Sequence, residues 1–290
     1  MNKSLSGGAD LHVHTSCSDG SLPPAEVVDL AIEKGFNAIA IADHDTLDGV
    51  APARVAAEGR GLEIVPAVEF STDTGDRDPS LPEIHLVGLF LDIEHPRLRQ
   101  SLTDWRECRR NRVVEMVRRL NRCGIELREE EVFALAQGES VGRVHVAKAL
   151  LKRGVVGSVG AAFQRYIGNG MPAYVPRERP PTDEIIRLIH ESSGVAVLAH
   201  PGLSIKDEEL PPLVEAGLDG IEVYCGEHSW MDQNHFEEMA KFYGLLVSGG
   251  SDFHGHHKRG ITLGTVRLEE EYVEQLRERA GEHAKGRAHG

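Results

Sequence analysis

The chain has 290 residues, 40% of them hydrophobic, and a formal net charge of −14; that length carries a real core, built as one large α/β domain or as a domain with a sizeable insertion. No run is long enough to cross a bilayer, and MNKSLSGGADLHV holds no apolar stretch of signal length, so a soluble, cytoplasmic protein is expected. The four cysteines (Cys17, Cys108, Cys123, Cys225) form no CxxC pair, which fits reduced thiols and speaks against a disulfide framework or a thiolate zinc site.

Short runs rich in Val, Ile and Leu alternate with amphipathic stretches, which predicts βαβ units, strands buried on both faces and a parallel sheet. The first run, 9–13, carries Asp10, His12 and His14 and is followed by Asp19; a helix is expected over 24–34, opened by Pro23-Pro24. The second, 37–42, ends in Asp43-His44, with a helix over 49–60. The third, 62–68, runs into Glu69, and the fourth, 84–91, contains His85. After a long helical interval, a helix over 183–192 leads to 195–199, which ends at His200. Helices over 207–216 and 232–243 flank 219–225, and 245–248 leads into Ser251-Asp252-Phe253-His254. The last ten residues, GEHAKGRAHG, read as a frayed tail, which leaves His283 and His289 outside any site.

Alternation fails between about 101 and 180, where helices are expected over 103–122, 128–137, 142–153 and 158–166. The expected domains are therefore a barrel over 1–100 and 181–290 and a helical insertion over 101–180. The charge divides the same way: the insertion holds 15 Lys/Arg against 9 Asp/Glu, a balance of +6, and the remainder stands at −20. The first insertion helix sets Trp105, Val113, Val114, Met116, Val117 and Leu120 among seven arginines; such an apolar stripe has to dock somewhere, and a specificity lid is a natural use.

Two histidines at i and i+2 on an extended segment project to the same side, so His12 and His14 can grip one ion together, and Asp252 and His254 repeat the spacing. One histidine beside a strand is ordinarily a satisfied core or surface residue. Many strand ends carrying ligand-type residues together predict a multinuclear metal site on the C-terminal rim of a barrel. Seven strands rather than eight point to a distorted barrel.

The motifs DLHVHTSCSDGSLPP, AIADHDTLDG, PAVEFS, IHLVG, LAHPG, GIEVY and GGSDFHG occur in the order found in the PHP family, the polymerase and histidinol phosphatase superfamily of metal-dependent phosphoesterases, and the chain resembles that family throughout the barrel. GRVHVAKALLKRG and YIGNGMPAYVPR in the insertion resemble the subgroup acting on nucleoside phosphates. The resemblance implies a distorted seven-stranded (β/α)7 barrel holding two to three divalent ions. His12, His14, Glu69 and Asp252 would hold the first, Glu69 would bridge to a second held by His85 and His200, and Asp19, His44 and His254 would hold a third. Imidazole and carboxylate ligands without thiolate admit Mn²⁺, Fe²⁺ or Zn²⁺.

The activity implied is hydrolysis of a phosphate monoester of a small nucleotide by metal-activated hydroxide: most directly removal of the 3′-phosphate of a nucleoside 3′,5′-bisphosphate, leaving a 5′-monophosphate. Alternatives are 5′-to-3′ hydrolysis of short 5′-phosphorylated oligonucleotides, an AMP phosphatase and, further off, an amidohydrolase or deaminase or a non-catalytic metal-binding module. Arg143, His145, Lys148 and Arg177 are candidates for a second substrate phosphate, His228 for the acid on the leaving group, and Asp10 and Asp43 for orienting imidazoles or packing at strand ends. The acidic body speaks against long nucleic acid as a partner.

Overall fold

A computed structural model describes residues 7–73, 83–136, 141–176, 179–258 and 260–288. In chain order it contains β1 (Ala9–Val13), α1 (Pro24–Glu33), β2 (Ala38–Ile41), α2 (Val50–Ala57), β3 (Glu63–Thr72), β4 (Ile84–Leu89), α3 (Pro96–Arg122), α4 (Glu129–Phe133), α5 (Arg143–Lys152), α6 (Val159–Ala162), α7 (Thr182–Glu191), β5 (Val195–Leu198), α8 (Pro201–Ser204), α9 (Leu210–Glu215), β6 (Gly220–Cys225), α10 (Trp230–Tyr243), β7 (Leu246–Gly250) and α11 (Glu270–Ala288). The chain falls into two units, residues 1–99 with 179–290, and residues 100–178.

The seven strands of the first unit form one sheet in the order β1-β2-β3-β4-β5-β6-β7. The sheet curls until Phe253, just past β7, bridges Val13, and the His14 amide donates to the Phe253 carbonyl at 2.9 Å. Strand periodicity sorts the side chains. On and just after β2, Ala38, Ala40 and Ala42 fill the barrel with Val65, Ala67, Val87, Leu89, Val195 and Val197, while Ile39 and Ile41 face outward onto Val27, Val28 and Ala53 of α1 and α2. Small residues face the crowded axis and large ones face the helices, as closure of a narrow barrel requires.

The parallel expectation fails at β4, which is antiparallel to both β3 and β5, while the other strand pairs are parallel. No helix intervenes between β3 and β4 among the described residues, and without a crossover a neighbouring strand must return in the opposite direction. The reversal puts the start of β4, not its end, on the functional rim.

A second correction concerns the C-terminus: residues 281–288 are not a frayed tail but the end of α11. Val273, Leu276 and Ala280 of this helix are buried in the barrel core, and Arg277 bonds Glu63 at the start of β3. The helix therefore closes the mouth opposite the rim, where an open barrel would expose its interior to water. Residues 289 and 290 lie outside the described residues.

In the second unit the apolar stripe of α3 has an internal partner. Val113, Met116, Val117 and Leu120 are buried with Val132, Val146, Leu150 and Ile167, a core of the unit's own. Several arginines fasten its connections: Arg112 and Arg119 donate to the carbonyls of Val175 and Tyr174, and Arg153 pairs with Glu131. Among the described residues no helix is long and apolar enough to cross a membrane.

Candidate metal centre

Glu69 lies at the middle of the rim. Its parity on β3 continues that of the interior residues Val65 and Ala67, so the pleat turns it inward; by the same rule His85 follows the inward parity of Val87 and Leu89 on β4. The two Glu69 oxygens divide the surrounding imidazoles. Oε1 lies 2.8 Å from His85 Nδ1 and 3.0 Å from His200 Nε2. Oε2 lies 3.0 Å from His44 Nδ1, 3.1 Å from His14 Nε2 and 3.4 Å from His12 Nε2.

A second group adjoins the first. Asp252 Oδ1 lies 3.3 Å from His14 Nε2, 3.3 Å from His254 Nδ1 and 3.7 Å from His12 Nε2. Asp19 approaches His254, His14 and His44 at 3.3, 3.7 and 3.8 Å, and the rings of His14 and His254 stack with centroids 4.2 Å apart. All nine residues expected from the sequence as ligands thus lie in one cluster of donors. His14, Asp19, His44 and His254 form one ion-sized group, His12, His14 and Glu69 another, and His44, Glu69 and His85 a third. His200 and Asp252 hold left-handed backbone angles, φ +30° and +53°, strain of the kind that collects where a side chain must be aimed.

Burial opposes charge on Glu69, Asp252, His14, His85 and His44, and neighbours outweigh it in all of these but His44. The imidazoles of His44, His85 and His12 outweigh that penalty and hold the Glu69 carboxyl well below its usual range, and His12 and His14 do the same for Asp252. Against the same penalty, Asp252 and Glu69 push His14 up to about 10 and Glu69 pushes His85 up to about 9, whereas burial takes His44 down to about 4. The rings of His14 and His44 have centroids 4.8 Å apart and are shifted in opposite directions, because the carboxylates dominate at His14 while burial, with the His14 charge adding to it, dominates at His44.

Divalent cations fit this donor set. The Nε2 atoms of His12 and His14 are 3.1 Å apart, a separation at which two inward lone pairs repel unless a proton or cation lies between them. Nδ1 of His14 is buried without a hydrogen-bond partner and lies 3.7 Å from Asp19 Oδ1, a cost that a cation bound between the two would offset. Six imidazoles and three carboxylates without thiolate suit Mn²⁺, Fe²⁺ or Zn²⁺ equally.

The surrounding shell was only partly legible in advance. Asp10 accepts from the Ser251 amide at 2.8 Å, and burial pushes its carboxyl up to about 6. Asp43 accepts from the Thr15 amide and from the Thr15 and Ser18 hydroxyls. Both fasten backbone at the strand ends rather than bonding an imidazole. Glu222, which the motif reading passed over, does bond one: Oε1 is 2.9 Å from His12 Nδ1, and Oε2 accepts from the His200 amide at 2.7 Å. A lone carboxylate inside the apolar run GIEVY was the available signal. Lys258 grips the outer oxygen of Asp252 at 2.5 Å and Glu227 at 3.2 Å.

His228 stands apart from the cluster groups. Its Nδ1–H donates to the Val223 carbonyl at 2.8 Å, its Nε2 accepts from the Gly202 amide at 3.3 Å, and its ring stacks on Phe236. Both nitrogens serve the backbone, and the one proton of that tautomer points at Val223, so no proton faces the rim. In the insertion, Arg143 lies over the Phe163 ring and half-buried Lys148 follows on α5. His145 is buried and accepts from the Gly142 amide through Nδ1 at 3.1 Å. Arg177 lies outside the described residues.

The family model described as the PHP domain matches residues 10–282. A 5′-3′ exoribonuclease of Haemophilus influenzae is 37% identical over 252 residues, 84% of this chain and 89% of the relative. A 3′,5′-nucleoside bisphosphate phosphatase of Chromobacterium violaceum is 33% identical over 261 residues, 88% of this chain and 90% of the relative. Among solved structures, a protein of Bifidobacterium adolescentis named as a metal-dependent phosphoesterase superposes with a TM-score of 0.83 at 30% identity, covering 95% of this chain and 96% of that one.

Proposed function

This chain belongs to the PHP domain family and is a metal-dependent phosphoesterase, and on that premise we propose that it removes the 3′-phosphate of a nucleoside 3′,5′-bisphosphate to leave the 5′-monophosphate. The observation that carries the reading is the partition of Glu69, one oxygen toward His85 and His200 and the other toward His12, His14 and His44. A carboxylate shared in this way would hold two cations side by side, which would supply the Lewis acidity used for displacement at phosphorus.

Of the two to three ions proposed, His12, His14, Glu69 and Asp252 would hold the first, Glu69, His85 and His200 the second, and Asp19, His44 and His254 the third. When bound, the ions supply a hydroxide nucleophile at neutral pH and neutralise charge growing on the phosphoryl oxygens. The chain's own part is to hold the donors. Strand pleat turns Glu69 and His85 inward, Glu222 orients His12, and Lys258 takes the outer oxygen of Asp252. Within the insertion, which has a positive charge balance, Arg143, Lys148 and Arg177 are proposed for selectivity toward a second phosphate, and His145 accepts from the Gly142 amide at the start of α5.

A second reading, stepwise 5′-to-3′ hydrolysis of short 5′-phosphorylated oligoribonucleotides, is favoured by the 37% identity to exoribonucleases. Both break the bond between phosphorus and the 3′-oxygen of a 5′-phosphorylated nucleotide, and they differ only in what else that phosphorus carries: nothing in the bisphosphate, the rest of the chain in the oligomer. Incubation with pAp, AMP and a 5′-phosphorylated short oligoribonucleotide, with Mn²⁺ and after chelation, separates them by product: inorganic phosphate from pAp supports the first reading, and mononucleotides from the oligomer the second. No metal-dependent product from any of the three refutes both. Arg143→Ala is expected to raise KM for pAp much more than for AMP, and equal effects remove Arg143 from a second-phosphate pocket.

A further inference from the structure

We propose that Glu222 is a positioning residue that sets the ligands on both sides of Glu69 at once, by fixing the ring of His12 and the backbone of His200. The inference rests on the metal-centre reading above. Glu222 sits within β6, opposite Ser248 of β7, and is 1% exposed. Its two hydrogen bonds run to ligands of different strands and different Glu69 oxygens: His12, which lies on the Oε2 side, and His200, which lies on the Oε1 side.

The two contacts act differently. At His12, Nδ1–H donates to Oε1, which selects the tautomer and turns the Nε2 lone pair toward Glu69 Oε2, His14 and Asp252. A carboxylate behind a ligating imidazole also makes that nitrogen a stronger donor. At His200, Oε2 accepts the main-chain N–H of a residue whose φ of +30° and ψ of 58° belong to the left-handed region, which L residues enter at a cost. The bond holds the turn after β5 in the one conformation that delivers His200 Nε2 to 3.0 Å from Glu69 Oε1. With both oxygens spent in this way Glu222 is not itself a ligand; it spaces the ligands that are.

Glu222→Gln tests this without changing shape. An amide presents one acceptor, so whichever way it turns, either His12 Nδ1–H or the His200 N–H faces an NH₂ group. Mn²⁺ affinity measured by equilibrium dialysis with metal analysis is expected to fall about 10- to 100-fold, while the chelated protein keeps its circular dichroism spectrum and melts within a few degrees of wild type. Glu222→Asp, which keeps the charge but cannot reach both partners, is expected to weaken binding less and serves if the glutamine variant does not fold. A metal-loaded wild type beside a variant whose affinities stay within threefold overturns the proposal, as does a variant whose only defect is a lower melting temperature after chelation. A wild type that takes up no Mn²⁺, Fe²⁺ or Zn²⁺ overturns the metal-centre reading and this one with it.

Discussion

Asp219→Ala should unfasten the closed end of the barrel while leaving the rim donors in place. Asp219, buried just before β6, accepts four hydrogen bonds: from His190 Nε2 at 2.8 Å, the Ala196 amide at 2.9 Å, His283 Nε2 at 3.0 Å and Arg279 Nη1 at 3.1 Å. The rings of His190 and His283 stack with centroids 4.1 Å apart. One carboxylate thereby ties α7, β5 and α11 together, and its four lone-pair sites are filled. Truncation leaves the buried Ala196 amide without a partner, about 1–3 kcal/mol. The side chains of His190, His283 and Arg279 are 25%, 21% and 38% exposed; they regain water, so each adds only about half a kcal/mol.

The total is about 3 kcal/mol, which at about 2–4 °C per kcal/mol for a domain of this size lowers the melting temperature by about 6–12 °C. Differential scanning calorimetry in chelator isolates this from metal binding. Burial would raise the Asp219 carboxyl, but the His190 and His283 bonds and the Ala196 amide hold it below the usual carboxylate range. A carboxyl depressed on folding contributes stability that is complete above its unfolded value, near 3.8, and that is lost as pH falls through the folded one. The carboxylate's contribution to the gap between wild type and variant should therefore persist from pH 7 down to about pH 4 and be lost only below it. A variant melting within about 2 °C of wild type, the level of about 1 kcal/mol or less expected of a surface contact, refutes the hub.

Glu69→Gln removes the shared charge from both flanking ion positions, so metal content and phosphate release from pAp should both collapse, by at least about 100-fold in kcat; retention of full metal content by mass spectrometry contradicts the bridging assignment. His228→Ala should lower kcat by less than about fivefold and the melting temperature by a few degrees, since its nitrogens serve the Val223 carbonyl and the Gly202 amide; a loss of about 10²–10⁴ would instead mark a general acid. In Gly250→Ala a Cβ would overlap the Cβ and backbone nitrogen of His12, so the β1–β7 seam must open; reduced Mn²⁺ uptake together with a lower melting temperature is expected, and unchanged uptake argues that His12 is not held by that seam.

The candidate donors and the approximate strands were legible in the sequence because each is a local property. Apolar runs of strand length ending in His, Asp or Glu report burial and chemistry residue by residue, and a spacing of two on an extended chain puts His12 and His14 on one side whatever surrounds them. The direction of β4 is not local: IHLVGL reads the same either way up, and only pairing with β3 and β5 puts His85 at a strand start and on the rim. The same holds for α11, whose Val273, Leu276 and Ala280 became core because a barrel mouth needed closing, and for His283, which acquired a role from Asp219 in a distant loop. Glu222 was hidden for the converse reason, since a carboxylate within an apolar strand declares nothing until the fold sets it between His12 and His200. The sequence by itself determined which donors exist and which strand ends carry them; the tertiary structure alone decided which oxygen of Glu69 faces which ring, because that depends on strand order, pleat and closure, quantities that arise only when distant segments pack against one another.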